Sequence, residues 1–241
     1  MKVSHNELVT LCAKAYDSLK RECGEAENIA NMVVDLEMAG MNGVALFLSA
    51  LTSIEQEGDY PVASVVQDGE TIIVDLSGAS LLCHFPALID VAVEQLIGNQ
   101  HVQLHIRHCR NRWFGFSELL KLAGKGLSVR AQWANGESPE FVDCVHNAGY
   151  RYPEIYFDKP KQQWVSELQH HDLLIDIQLA PFDDTVFDGE PSISSDMQIA
   201  AEAKAWKKGI NVDESHWQAL KKYVARGLVE NSERSLQGAG E

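Results

Sequence analysis

The sequence predicts an α/β fold in which a helical N-terminal layer packs on a mixed sheet. Three observations carry this. Apolar residues recur at helical spacing in three stretches before residue 58, and strand-like runs take over after residue 59. Between Asn99 and Asn135 a strand, a helix and a second strand follow one another as one unit.

Ser4 and Glu7 form a capping-box signature, and Leu8, Leu11, Cys12, Ala15 and Leu19 then share one helical face. A second helix follows from Ile29, Ala30, Met32, Val33 and Leu36, and a third from Val44, Phe47, Leu48, Leu51 and Ile54. The stretch from Met38 to Ile54 is uncharged, but it is shorter than the ~20 residues needed to span a bilayer. It also contains Gly40, Asn42, Gly43, Ser49, Thr52 and Ser53, so it reads as a buried helix. Val62 to Gln67 and Thr71 to Leu76 read as antiparallel strands joined through Asp68-Gly69, whose tolerance of positive φ suits a tight turn. Pro86 suits the first turn of a helix running to about Ile97.

Val102 to Arg107 alternates as a half-buried strand, Phe114 to Lys125 has helical period, and Leu127 to Trp133 reads as the next strand. Further strands are expected near Phe141 to Val145, Glu154 to Phe157 and Leu173 to Leu179, in an order the sequence does not reveal. An acidic loop (Asp183, Asp184, Asp188, Glu190) leads to Ser195 or Asp196 as the cap of a helix through Ile199 to Lys207, ended by Gly209. Asp213 can cap a last helix to about Arg226, and the tail Asn231 to Glu241 is expected to be mobile unless a partner holds it. The organisation is 1–58 helical, 59–190 mixed α/β and 191–241 helical, integrated into one domain.

Twenty Lys and Arg against 35 Asp and Glu give a net charge of −15. That balance repels phosphate backbones and argues against nucleic acid as a partner. Arg107, Arg110 and Arg112 form a local basic strip that could hold a small anion, although such residues more often are solvated or paired with nearby carboxylates. The five cysteines (Cys12, Cys23, Cys83, Cys109, Cys144) have no CxxC spacing, which fits reduced thiols in a cytoplasm. Met1 to Glu7 lacks the features of a secretory signal, and no membrane association is expected.

Two segments carry a family resemblance. Asp35-Leu36-Glu37-Met38-Ala39-Gly40-Met41-Asn42-Gly43-Val44-Ala45-Leu46 is an acidic helix end running into a glycine-containing turn, and Arg112-Trp113-Phe114-Gly115 opens the helix of the strand-helix-strand unit, with Asn135 closing its second strand. In this order they resemble the non-Rossmann malate/L-lactate dehydrogenase family, which includes ureidoglycolate dehydrogenases and ketimine-type reductases. The resemblance covers about the first 135 residues. It implies that Asn42 stands where the family carries a catalytic His, Leu46 where it carries an Arg, and Trp113 where it carries a second functional His. The family's Gly-Thr-Asn-Pro and Asp-Met-Ala cofactor segments are not evident, Leu174-Ile175-Asp176-Ile177 being at most a faint echo, so a truncated cofactor region is expected. The stretch from Asp213 through Trp217 to Ser235-Leu236-Gln237-Gly238-Ala239-Gly240 looks like the ending of a short bacterial family of uncharacterised proteins, which suggests a complete short relative.

The substitutions have chemical consequences. Reducing a 2-keto acid or an imine needs a proton donor and a cation for the carboxylate. Asn42 donates a hydrogen bond but cycles no proton, Trp113 offers one indole N–H, and Leu46 has no charge. The expectation is a non-catalytic or chemically diverged protein that binds a small molecule, a small anion included, or a protein partner, with a candidate pocket at Asn42, Leu46, Trp113 and Asn135. The resemblance also implies a homodimer. The alternative is an NAD- or NADP-dependent oxidoreductase acting on a 2-keto acid, 2-hydroxy acid or cyclic imine, its acid-base role relocated to His84, His105 or His108. No metal is expected: on a strand His105 and Cys109 face one side and His108 the other. Cys83-His84 as nucleophile and base, and His170-His171-Asp172 as a generic acid-base set, are less specific; a third possibility is an unrelated enzyme using the latter or a metal.

Overall fold

The computed structural model describes residues 1–21, 26–57, 63–135, 139–158, 171–183 and 189–227. Cys23, Val62, His170, Asp184, Asp188 and the tail Asn231 to Glu241 lie outside them. Strand β1 (Lys2–Val3) leads into helix α1 (His5–Asp17) through the expected capping box. Ser4 Oγ accepts the Glu7 N–H, and the Glu7 carboxylate accepts the Ser4 N–H at 2.7 Å. Helices α2 (Ala26–Met38) and α3 (Gly43–Gln56) bury Ile29, Met32, Val33, Leu36, Phe47 and Leu51, the residues that helical spacing places on one side. A Cβ added to Gly43 would lie 2.2 Å from the Val33 carbonyl oxygen, so glycine is what allows the first turn of α3 to approach α2.

Strands β2 (Ser64–Asp68) and β3 (Thr71–Asp75) pair antiparallel with Asp68 opposite Thr71. The turn is therefore Gly69-Glu70, one residue beyond the expected Asp68-Gly69. Gly69, at φ 60°, takes the first turn position, where positive φ is needed. Helix α4 (Phe85–Gln95) carries Pro86 in its first turn, and β4 (His101–Arg107), a 3₁₀ turn at Arg112–Phe114, α5 (Gly115–Gly124) and β5 (Ser128–Ala134) form the strand-helix-strand unit. Strands β6 (Phe141–His146), β7 (Glu154–Phe157) and β8 (Leu173–Gln178) precede helix α6 (Ser195–Lys208), strand β9 (Ile210–Asn211) and helix α7 (Glu214–Gly227). The cap of α6 is Ser194, whose Oγ accepts the Met197 N–H; Ser195 and Asp196, the expected caps, fall in the first turn.

The large sheet has the order β2-β3-β4-β8-β5-β6-β7, with β3 and β4 parallel and every other neighbouring pair antiparallel. Strand β8 inserts between β4 and β5, so the two strands of the local unit are not neighbours. Its run Leu173-Leu174-Ile175 is buried on both faces, the reason it takes a central place. The short antiparallel pair β1-β9 had no periodic signal, having two residues per strand.

The sheet has one apolar and one polar face. Val102, Leu104 and Ile106 of β4, Val129, Ala131 and Trp133 of β5, and Ile175 and Ile177 of β8 are buried on the side where α4 and α5 pack. Helix α2 packs on α5, and α1, α3 and α7 extend that helical layer. The other face carries Gln103 and His105, Asp176, Arg130 and Gln132, and Asp143, brought side by side by the strand register. No helix among the described residues is long and apolar enough to cross a membrane.

Candidate functional site

The turn into α5 is built on Asn111, whose backbone is left-handed (φ 60°, ψ 40°), a conformation asparagine tolerates well. The Ser80 hydroxyl donates to Asn111 Oδ1 at 2.8 Å and fixes the turn. Arg112 is buried and donates from Nη1 to the Cys109 carbonyl at 2.8 Å and from Nη2 to the Ala134 carbonyl at 3.1 Å. Its guanidinium thus clamps the turn to the end of β5, next to Asn135, and does not join Arg107 and Arg110 in one anion site. Trp113 packs edge-on against Trp133, with centroids 5.0 Å apart, and against Phe157 at 6.2 Å. Asn135 is half-buried and its N–H donates to the Glu140 carbonyl at 2.7 Å.

Asn42 also has a left-handed backbone (φ 41°, ψ 40°), and its side chain makes no capping bond to α3. It is exposed and lines a cleft with Glu37, Gly40, Lys204 and Asn211. Glu37 accepts the Val44 N–H at 2.8 Å, and burial raises its pKa. Helix α3 reaches the other turn through Phe47 and Phe114, ring centroids 6.5 Å apart, while Leu46 is half-buried against the core. The structure therefore joins Trp113 to the Asn135 end of β5, and it places Asn42 and Trp113 on separate cavities, Trp113 facing one lined by Phe85, Phe116, Ala131 and Trp133.

The three alternative histidines occupy different settings. His84 is half-buried before α4, its Nε2 has no hydrogen-bond partner, and burial lowers its pKa. His108, at φ 49°, is exposed and its Nδ1 lies 3.0 Å from Asp75 Oδ1. His105 Nε2 lies 3.1 Å from Asp172 Oδ2, and the His108 N–H donates to Asp172 Oδ1 at 3.3 Å. With side-chain exposures of 23% for His105 and 5% for Asp172, this is the most buried His–carboxylate pair on the polar face. Cys109 is buried beyond the end of β4, where burial pushes its thiol pKa up to about 12, and Cys83 Sγ lies 3.0 Å from the Tyr16 hydroxyl. Among the described residues no group of three or more His, Cys, Asp or Glu is placed to hold a metal ion.

A network that sequence reasoning missed lies on the same face. Arg130 donates to both oxygens of Asp143, at 3.0 Å and 2.6 Å, and Gln132 Nε2 donates to Asp143 Oδ2 at 2.7 Å. Nearby, His101 Nε2 and Gln103 Nε2 each lie 3.0 Å from Asp176 Oδ1. The available signal was Arg130 and Gln132 at alternate positions of an otherwise apolar strand: charged and amide groups buried on a sheet demand partners across it.

Comparison with known proteins places the fold. Residues 3–80 match a family model described as a protein of unknown function (DUF3726). No curated protein matches the chain. Among solved structures, the chain is similar to malate dehydrogenase from Pyrococcus horikoshii OT3, with a TM-score of 0.70 and 8% identity over 95% of this chain and 96% of that one. It is similar to a dehydrogenase from Sinorhizobium meliloti, with a TM-score of 0.68 and 13% identity over 93% and 99%. It is also similar to delta1-piperideine-2-carboxylate reductase from Pseudomonas syringae pvar. tomato, with a TM-score of 0.64 and 10% identity over 92% and 99%. At such identities the likeness is one of fold, and the fold is that of the malate/lactate dehydrogenases.

Proposed function

We propose that this chain is a chemically diverged protein on the malate/lactate dehydrogenase-like fold, which binds a small molecule or a protein partner and does not transfer hydride. The observation that carries this reading is the packing of Trp113. At the position where the resemblance implies a functional His, an indole is wedged between Trp133 and Phe157, which makes it a packing residue. Asn42 is likewise accounted for by its left-handed backbone. The pocket proposed to persist is at the Trp113–Asn135 end of β5, while Asn42 lines a separate cleft and Leu46 packs against the core. The homodimer and the cytoplasmic setting belong to the same proposal, the latter supported by the buried thiols of Cys12, Cys109 and Cys144. The test is an assay of NADH and NADPH oxidation with 2-keto acids and cyclic imines, alongside sedimentation at micromolar concentration. Turnover would overturn the loss of hydride transfer, and a monomer mass would overturn the dimer.

A second reading, an NAD(P)-dependent oxidoreductase with relocated acid-base chemistry, draws on the His105–Asp172 pair. An imidazole oriented by a carboxylate is the kind of group that serves as a general acid or base. Charge opposes the cofactor at this place. A dinucleotide brings two phosphates, while the face around His105 carries Asp75, Asp172, Asp176 and Glu70 against Arg107 at the end of β4, its Arg130 being already bound to Asp143. This excess of carboxylates disfavours a dinucleotide beside His105.

A further inference from the structure

Helix α6 has the reverse of the usual amphipathic arrangement. Its inward side carries polar and small groups: Ser195 and Gln198 are buried, and Ala201, Glu202 and Ala205 are half-buried. Gln198 Nε2 donates to the Pro153 carbonyl at 2.7 Å, and Glu202 accepts both prongs of Arg151. A Cβ added to Gly40 would come within 3.2 Å of Ala201 Cβ, so α6 lies close against the turn after α2. The large apolar side chains, which a surface helix ordinarily buries, face outward instead: Met197 is 58% exposed, Ile199 41% and Trp206 64%.

Helical periodicity gathers these outer residues into two adjoining rows. Ile199, Ala203 and Trp206 follow one another at i, i+4 and i+7, and Asp196, Ala200, Ala203 and Lys207 run beside them at i, i+4, i+7 and i+11, all of them exposed. Trp206 stacks against His5 with centroids 5.4 Å apart and donates its indole N–H to Glu202, contacts that hold the ring in place and leave most of it open. The side chains of Asp196 and Lys207 have no hydrogen-bond or ion-pair partner among the described residues.

Charge along the rows says what fits on them. Asp196 stands in the first turn, and Lys207 and Lys208 in the last. Asp196 and Lys207 lie roughly 16 Å apart along the axis, too far to pair within one helix. In an antiparallel pair of α6 helices related by a two-fold axis between Ala200 and Ala203, Asp196 meets the partner subunit's Lys207, and the reciprocal contact follows by symmetry. The same register brings Ile199 beside the partner subunit's Trp206 and Ala200 against the partner subunit's Ala203, where small side chains let the helices approach. A parallel pair would instead set like charges on each other. Self-complementarity under a two-fold rotation is what an isologous dimer contact requires.

We infer that the outer face of α6 is an interface between two copies of this chain, built on Ile199, Ala203 and Trp206 and oriented by Asp196 with the partner subunit's Lys207. The inference rests on the homodimer of the proposed function and names its contact surface; it uses neither Trp113 nor His105. A helix of 14 residues covers less than the ~800 Å² per partner of a standard interface, so the dimer is a weak one that dissociates in the micromolar range.

The experiment is sedimentation equilibrium of the full chain from about 1 μM to about 200 μM, at low salt, where surface charge pairs are least screened. Wild type, Asp196→Lys, Lys207→Glu and an equimolar mixture of the two variants are compared, with unfolding midpoints measured in parallel. Each variant alone sets like charges at both contacts, whereas a mixed pair sets opposite charges at both. The expected result is a wild-type dimer, a dissociation constant raised about threefold or more in each variant, and recovery close to the wild-type value in the mixture. Trp206→Ala should weaken the dimer about tenfold or more. Because charges at helix ends also act on the helix itself, Ala203→Cys supplies a measure independent of charge: a short bismaleimide should give covalent dimers well above the wild-type level. A wild-type chain that stays monomeric throughout would overturn the inference together with the homodimer. A wild-type dimer left intact by the variants, variants that do not recover on mixing, or no excess of covalent dimer with Ala203→Cys would overturn the inference alone and move the dimer contact to another face.

Discussion

Trp113 and Trp133 meet edge to face, their ring planes 88° apart, and this contact joins the turn before α5 to the end of β5. Replacing Trp113 with Ala removes one ring of that cluster and should destabilise the protein by about 2–4 kcal/mol in urea denaturation. Trp113→His should cost less and should not produce NADH-dependent reduction of 2-keto acids, because the other groups needed for that chemistry are not assembled around it. Appearance of turnover in Trp113→His would mean that the rest of the catalytic machinery is intact.

Arg130 and Asp143 form a two-pronged pair, with side-chain exposures of 9% and 2%. Truncating one partner strands a buried charge, so Arg130→Met should cost about 3–5 kcal/mol. The triple variant Arg130→Met, Gln132→Leu and Asp143→Leu should recover a large part of that loss, since it also removes the buried Gln132 amide that donates to Asp143. Denaturation curves of Arg130→Met, Asp143→Leu and their double in a Gln132→Leu background give the coupling; simple additivity would show that the pair does not act as a unit.

Asp35 accepts the Ser117 hydroxyl at 2.5 Å, and burial raises its pKa above the ordinary 3.8. The folded state therefore holds this proton more tightly than the unfolded chain. Its contribution is most favourable below pH 3.8 and declines as pH rises through the interval up to the raised value. Asp35→Asn keeps an acceptor for Ser117 and removes the buried charge. Its melting temperature should exceed wild type near neutral pH, and the gap should close as pH falls towards 3.8. A gap that does not change with pH would point to a cause other than ionisation.

Gly43 should tolerate no side chain, because its Cβ would meet the Val33 carbonyl at 2.2 Å and Leu36 Cβ at 2.9 Å. Gly43→Ala must push α3 away from α2, at a cost of at least about 1–3 kcal/mol. Thermal denaturation checks this. Wild-type stability in Gly43→Ala would show that the helix pair yields more readily than its packing indicates.

Local elements were legible in the sequence because each announces itself within a short window. The Ser4–Glu7 box, Pro86 at the start of α4 and the alternation of Val102, Leu104 and Ile106 all depend on near neighbours. Strand order depends on pairing over long separations, and nothing local says that Leu173–Gln178 slips between β4 and β5. The candidate site divides in the same way. Trp113 and Asn135 flank one helix and strand and come to one end of the sheet as the unit predicts, whereas Asn42 is drawn to a cleft with Lys204 and Asn211 that only the packing of α6 and β9 creates.

The central claim, a dehydrogenase-like fold without nicotinamide chemistry, is tested most directly by titrating the purified chain with NADH and NADPH while following nicotinamide fluorescence and melting temperature together. A ligand that binds only the folded state must raise the melting temperature. No saturable fluorescence change and no stabilisation are expected at millimolar cofactor. Saturable binding with a matching rise in melting temperature would contradict it and restore the oxidoreductase reading.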